Sequence, residues 1–162
     1  MNKDFISFTI KGIALDSRSG LPTILLQTED KSKILPLRAG PFEASAIIIE
    51  IENVHPPRPL THDLLSEFFT RHNYRLDHLV IYDKIENDYL ARIEYSGLFR
   101  KYRMEVRPSD GIALALRQGS PILVSKIVTD CLDTDSEIME TMKDYQSEIL
   151  YFESNNNSIH LM

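Results

Sequence analysis

Alternating apolar and polar positions fill the first forty residues and predict β-strands. In FISFTIKGIAL (5–15) the apolar residues Phe8 and Ile10, and then Ile13 and Leu15, recur at every second position, as in a strand with one buried face. The Asp, Ser and Gly cluster at 16–20 predicts a turn. Two shorter strands are predicted at 23–28 and 33–38. Pro36 marks the last as an edge strand or a strand end, because proline cannot donate to a sheet ladder.

A helical period replaces this alternation from Pro41 onward. A helix is predicted to begin at this proline, with Glu43 in its first turn, where the helix dipole favours an acid. After a proline-rich connection a second helix is predicted, with Thr61 as its N-cap and its end near Asn73. Its apolar stripe consists of Leu64, Leu65, Phe68 and Phe69.

The second half of the chain mixes the two patterns. Strands at 74–85 and 88–96 flank Glu86-Asn87 and predict a hairpin, and a third strand is predicted at 98–107. A short helix follows, with Ser109 as its N-cap and Gly119 as its terminator, and then a buried strand at 121–125. From Thr134 the spacing predicts an acidic amphipathic helix. Antiparallel strands with a few short helices indicate an α+β fold.

Charge divides the chain at residue 130. The net charge is −6, but residues 130–162 hold eight acids and one base, so that the preceding residues are nearly neutral. We therefore expect one domain over 1–130 and an acidic C-terminal helix with a frayed tail over 131–162. A near-neutral body permits a local basic patch, so nucleic acid stays a candidate partner.

Several classes of protein are not expected. The chain has no apolar run of the roughly 18 residues that a membrane span needs, and its N-terminal residues do not resemble a signal peptide. Cys131 is the only cysteine, which excludes an intrachain disulfide and a cysteine zinc cluster. We expect a soluble, cytoplasmic protein that does not bind a membrane.

The pair His62-Asp63 stands at the predicted start of the second helix. Neighbours on a helix point about 100° apart, so these two side chains cannot form a dyad with each other. His62 suits a general base or a metal ligand, and Asp63 suits a cap or a metal ligand. The alternative is an ordinary helix start in which Asp63 only stabilises the first turn.

The segment RPSD (107–110) has the same layout as RPLTHD (58–63). Each places Arg-Pro before a Ser or Thr and then an acid, so that Arg58 and Arg107 flank predicted helix starts. An arginine beside a helix start can bind phosphate, and the acids, including Asp110, would then need a divalent cation between them and the phosphate. The alternative is two routine helix starts, each with its arginine paired to a nearby acid.

The strand FRKYRMEVR (99–107) carries a third candidate site. Period-two alternation places Lys101, Arg103 and Arg107 on one face with Phe99 and Glu105. Such a ladder could follow a phosphate backbone and stack a base, so we expect Lys101 and Arg103 to bind substrate. The alternative is a solvated strand face. Glycine-rich phosphate loops, GxSxG and HExxH are absent from the sequence.

Three stretches together resemble the motifs of the bifunctional nuclease domain family. They are LPLRAGPFEASAIIIEIE (35–52), PPRPLTHDLL (56–65) and RPSDGIALALRQGSPILVS (107–125), in the family's order and spacing. The resemblance implies an α+β domain with a strongly curved, barrel-like sheet, a homodimer, and cleavage of both DNA and RNA. Arg38, Glu105 and Gly111 depart from the family pattern, and Gly111 is expected to weaken its helix start by up to about 1 kcal/mol relative to alanine.

The leading hypothesis from this resemblance is a nuclease-like phosphodiesterase. His62, Asp63 and Asp110 would be catalytic, and Asp63, Asp110 and Glu43 would hold Mg²⁺ or Mn²⁺. Substrate would bind at the arginines Arg58 and Arg107. The other positions that match the family motifs are Pro59, Thr61, Pro108 and Ser109.

Two alternatives stay open. One is a non-catalytic dimeric scaffold that holds an anion or nucleotide at the Arg-flanked helix starts. The other is a purely structural role in which Arg–carboxylate pairs hold a dimer interface. Catalysis predicts carboxylates that converge within about 5 Å, whereas a scaffold predicts carboxylates bonded separately at their own helix starts.

Overall fold

A computed structural model describes residues 4–15 and 19–132, which form seven strands and four helices. The predicted amphipathic helix and most of the 131–162 segment lie outside the described residues. The strands are β1 Phe5–Leu15, β2 Pro22–Thr28, β3 Ile34–Arg38, β4 Arg75–Ile85, β5 Asp88–Ser96, β6 Lys101–Val106 and β7 Ile122–Ser125. The helices are α1 Pro41–Ile51, α2 Thr61–Arg71, α3 Pro108–Gln118 and α4 Lys126–Leu132.

All seven strands belong to one mixed sheet with the order β3-β2-β1-β7-β4-β5-β6. Every neighbouring pair is antiparallel except β4 and β7, which are parallel. The predicted α+β class with a mostly antiparallel sheet is confirmed, as is the edge position of the strand that contains Pro36. The predicted barrel-like curvature is wrong. The edge strands β3 and β6 do not pair within the described residues, and the sheet is neither closed nor strongly curled.

Helix α3 is the centre of the core. Ile112 and Leu114 are buried among the apolar residues of β4 and β5, and α1 and α2 pack on either side of it. Leu79 lies opposite Ile93 on the covered face of the sheet. The neighbouring positions point to the other, uncovered face. There His78 lies opposite Glu94, and Glu94 lies opposite Arg103.

The helix starts differ from the prediction by one or two residues. Leu60 and Arg107 are the N-caps of α2 and α3, so Thr61 and Ser109 lie inside the helices and the predicted caps are wrong. Pro108 is the first residue of α3, where its fixed φ angle suits a helix and its missing N–H costs nothing. The predicted helix ends are confirmed, with Asn73 at φ 56° and Gly119 at φ 62°.

Two further features complete the fold. Helix α4 follows β7 directly and was not predicted from the sequence. In the part of the chain that the structure describes, none of the helices is long and apolar enough to cross a bilayer.

Candidate functional site at three helix starts

A chain of charged contacts joins the starts of α1, α2 and α3. Arg107 donates from Nη2 to Oε1 of Glu43 at 2.7 Å and from Nε to Oδ2 of Asp110 at 2.6 Å. Oδ1 of Asp110 lies 3.1 Å from Nε2 of His62. The starts of α2 and α3, which share the Arg-Pro layout, thus meet through His62 and Asp110. We call Glu43, Arg107, Asp110 and His62 the helix-start network.

The backbone explains how Glu43 and Arg107 come together. Arg107 occupies the extended N-cap position between β6 and α3, so its side chain leaves the sheet edge where α3 begins. The Glu43 carboxylate folds back against Gly40, the N-cap of α1, and any Cβ at Gly40 would overlap Oε2 of Glu43. Glycine at position 40 therefore lets Glu43 turn toward Arg107.

Asp110 determines which nitrogen of His62 carries the proton. A carboxylate can only accept hydrogen bonds, so Nε2 of His62 must donate to Asp110. The lone pair of the neutral ring is then on Nδ1, which has no hydrogen-bond partner among the described residues. The His62 side chain is 15% exposed. A partly buried imidazole with a free basic nitrogen and an oriented carboxylate is a general acid–base arrangement.

Arg107 supplies a fixed positive charge beside this pair. The hydrogen bond that Arg107 donates to Asp110, together with the charges of Asp110 and Glu43, raises the pKa of Arg107 above its usual value. Its Nη1 group has no partner among the described residues. The network therefore holds the guanidinium from one side and leaves one nitrogen for an anion.

Asp63 lies outside this network and has a different partner. Its Oδ1 accepts from Nε of Arg117 at 2.5 Å, and its Oδ2 accepts from the backbone N–H of Leu60 at 2.7 Å. Burial acts to raise the pKa of the Asp63 carboxyl, but the Leu60 N–H and Arg117 outweigh it and hold the pKa below its usual value. Asp63 therefore joins the start of α2 to α3 and does not face Asp110.

Sequence reasoning missed Arg117. Its side chain is only 3% exposed and also donates to the carbonyls of Ala113 at 2.9 Å and Ala46 at 3.2 Å. The available signal was a lone arginine at the end of the apolar run IALAL (112–116). A charge on a buried helix face needs a partner, and Asp63 is that partner.

The three proposed metal ligands do not form a ligand set in this arrangement. Asp63 serves Arg117, whereas Glu43 and Asp110 both serve Arg107. Over residues 4–15 and 19–132, no three His, Cys, Asp or Glu side chains are placed to hold one metal ion. In this arrangement these residues therefore do not fit a metal ion.

A cavity of about 740 Å³ adjoins the network at Arg107. It is also lined by Arg38 at the end of β3, Gly40 at the start of α1, Tyr89 of β5 and Glu105 of β6. The exposed side chain of Arg38 has no hydrogen bond or ion pair with a described residue. Two arginines, one of them unpaired, thus face a space large enough for a small anionic ligand.

Residues 24–137 match the model of the Bifunctional nuclease domain. The chain belongs to the bifunctional nuclease domain family. It is 35% identical over 119 residues to Uncharacterized protein Rv1829 of Mycobacterium tuberculosis, covering 74% of this chain and 71% of that protein. A protein from another strain of that organism, Uncharacterized protein MT1877, matches to the same extent.

A more distant member of the bifunctional nuclease domain family comes from rice. It is Bifunctional nuclease 2, 28% identical over 109 residues, and the match covers 65% of this chain but only 34% of the rice protein. The family range 24–137 contains the whole helix-start network as well as Asp63 and Arg117.

Three predicted substrate-binding residues in the same family range lie apart from the network. Arg58 is exposed and has no side-chain partner among the described residues. Lys101 and Arg103 lie on the uncovered face of the sheet, where Arg103 is 3.3 Å from Glu94. Of the four predicted substrate-binding residues, only Arg107 joins the helix-start network.

Proposed function

We propose that this member of the bifunctional nuclease domain family is a nuclease-like phosphodiesterase that acts on DNA or RNA. The observation that carries the proposal is the contact of His62 with Asp110, beside the guanidinium of Arg107. In this proposal His62 is the general acid–base group, Asp110 orients it, and Arg107 neutralises phosphate. The name of the rice relative supports the choice of substrate.

The proton path follows from the tautomer of His62. With Nε2 donating to Asp110, Nδ1 takes a proton from the attacking water as the water oxygen forms its bond to phosphorus. The Asp110 carboxylate stabilises the resulting imidazolium. The leaving oxygen then departs with the electron pair of the broken P–O bond and accepts the proton from His62. Arg107, held by Glu43, stabilises the negative charge that builds on the phosphoryl oxygens.

Asp63 has a supporting role in this proposal and does not act as a catalyst. Its carboxylate is engaged by Arg117 and by the backbone of Leu60, and these bonds hold its pKa below the usual value, which makes it a weak proton acceptor. Asp63 fixes the start of α2 and thereby holds the preceding residue, His62, in position.

Cleavage of end-labelled single-stranded DNA and RNA tests the proposal. Wild type should cleave, His62→Gln should lose about a hundredfold or more in rate, and His72→Gln should not change it. His72 is a matched control because it is an exposed histidine at the other end of α2, bonded to the Phe68 carbonyl. Parallel assays with Mg²⁺, Mn²⁺ and EDTA test the metal requirement. Activity that is removed by further purification, or that survives His62→Gln, would sink the proposal.

A second candidate is a dimeric, non-catalytic protein that holds an anion or nucleotide in the Arg38–Arg107 cavity. The observation that favours it is that Asp63 and Asp110 are each bonded at their own helix start, as expected for a scaffold. Calorimetric titration with inorganic phosphate tests it. Binding by wild type, its loss in Arg38→Ala and the absence of cleavage would support this candidate, whereas no heat of binding would exclude it.

A further inference from the structure

The turn between β5 and β6 projects aromatic and basic side chains into solvent. The segment FRKYR (99–103) begins in this turn and continues as the edge strand β6. Phe99 is 90% exposed and so packs against almost nothing in the described structure. Arg100 and Lys101, which follow it, are exposed and form no ion pair with a described residue. Leu98, the residue before it, is also 80% exposed. A phenylalanine this exposed beside cations has no role in the core, which points to a ligand or partner.

Cations on the uncovered face next to this turn project beyond the acids. Arg75 and Arg103 have side chains that are 81% and 72% exposed, whereas Asp77 and Glu94 are only 19% and 21% exposed. Each acid is held by the arginine above it, with Arg75 at 2.9 Å from Asp77 and Arg103 at 3.3 Å from Glu94. The acids thus form the floor of this surface and the cations its outer layer.

Glu94 contributes little negative charge to a ligand on this surface. Besides Arg103, the side chains of Arg92 at 3.0 Å and His78 at 3.3 Å contact its carboxylate. A cavity of about 680 Å³ lies over Glu94 and is also lined by Lys101 and Tyr102. Tyr102 stacks on Tyr95 with ring centroids 5.1 Å apart, and Tyr95 in turn contacts Phe69 of α2, so these two rings lie on the helix-covered face of the sheet. The surface therefore combines a depression and projecting cations with the exposed ring of Phe99 beside them.

We propose that Arg75, Phe99, Lys101 and Arg103, the hairpin surface, bind single-stranded nucleic acid. The three cations would contact successive phosphates and Phe99 would stack on an unpaired base, which a duplex does not offer. Strand β6 leads from Lys101 to Arg107, which is a distance of about 20 Å along an extended chain. A strand bound on the hairpin surface can thus run along the sheet edge toward the helix-start network. The choice of nucleic acid as the ligand rests on the proposed function, whereas the surface itself is argued from the exposed side chains alone.

Fluorescence anisotropy with the full chain tests this inference. The probe is a labelled single-stranded oligonucleotide in EDTA at low salt. Phe99→Ala should weaken binding about tenfold, and Lys101→Ala with Arg103→Ala should lower the slope of log affinity against log salt by about 1.4. The matched control is Lys31→Ala with Lys126→Ala, which removes two exposed lysines that have no side-chain partner among the described residues. This control should bind as wild type does.

The outcomes separate this inference from the proposed function. A wild type that binds through the hairpin surface but never cleaves would overturn the proposed function and leave this inference standing. Unchanged affinity in both test variants, equal loss in the control, or tighter binding of duplex would overturn the inference. If wild type does not bind the strand at all, the inference also fails, and an acidic protein surface becomes the partner to test.

Discussion

Nε2 of His62 lies 3.1 Å from Oδ1 of Asp110 across 48 residues of sequence. The contact joins two helix starts of the same Arg-Pro layout, and it places a proton-accepting group next to the guanidinium of Arg107. The chemistry of His62 and the stability of the helix start can be tested separately, because Asp63, the neighbour of His62, pairs with Arg117 and not with Asp110 or His62.

Asp63→Ala is expected to lower the free energy of unfolding by about 2 to 3 kcal/mol, because it leaves the buried Arg117 guanidinium without its counter-charge. This loss is at the lower end of the range for breaking a buried ion pair, because Arg117 keeps its hydrogen bonds to two backbone carbonyls. Glu67→Ala breaks an exposed pair with Arg71 on the same helix and should cost no more than about 0.5 kcal/mol. Urea unfolding measures both changes. Equal effects of the two substitutions would contradict the structural role of Asp63.

Asp63 should also make stability depend on pH in the acid range. Its pKa in the folded protein lies below the usual value of 3.8. The stabilisation is therefore fully present above about pH 4 and is lost as pH falls through the folded pKa. The difference in unfolding free energy between wild type and Asp63→Asn should thus be constant at neutral pH and shrink in acid. The comparison with Asp63→Asn is needed because hydrogen bonds from Thr28 and Ser32 also lower the pKa of Asp30, to about 2. Asp30 therefore titrates in the same acid range in both proteins, and its contribution cancels in the difference. A difference that does not change with pH would contradict this prediction.

Gly111→Ala should destabilise the protein although alanine is the better helix former. A Cβ at this position would overlap Cδ1 of Leu79 and come within 3.1 Å of Cγ2 of Val106. Leu79 is fully buried, so relief of the overlap requires a shift in the core, at a cost of about 1 to 3 kcal/mol against a propensity gain of about 1. Thermal unfolding measures the sum. A higher melting temperature for Gly111→Ala would contradict this prediction, because it would show that Leu79 and Val106 can accommodate the added Cβ at little cost.

The chain's local pattern predicted these helix starts, but not the partners they meet. Proline, glycine and the apolar periods fix where α1, α2 and α3 begin and end to within two residues, because those signals act between near neighbours. Arg107 meets Glu43 across 64 residues and Arg117 meets Asp63 across 54. These pairings depend on how α1 and α2 pack against α3, which periodicity does not encode. For this reason the predicted convergence of Asp63 with Asp110 was wrong. Helix α4 was missed because its seven residues follow a strand without a separating turn.

Arg107→Lys should reduce cleavage strongly while leaving the fold intact. A single ammonium group cannot reach Glu43 and Asp110 at once with the fixed fork that Arg107 uses. The side chain is mostly exposed, so the unfolding free energy should change by less than about 1 kcal/mol. The matched control is Arg58→Lys, at an exposed arginine without a described partner, which should cleave at the wild-type rate. Equal rates for wild type and Arg107→Lys would remove Arg107 from the mechanism.

In the proposed mechanism His62 and Asp110 act as one catalytic unit, and a double-mutant cycle on the cleavage rate measures the coupling between them. The four proteins are wild type, His62→Gln, Asp110→Asn and the double variant, purified in parallel and checked for folding by circular dichroism. Each single substitution should lower the rate by about a hundredfold or more, and the double variant should be no slower than the slower single variant. Wild-type rates in the folded single variants, or losses that multiply in the double variant, would show that the two residues do not act together.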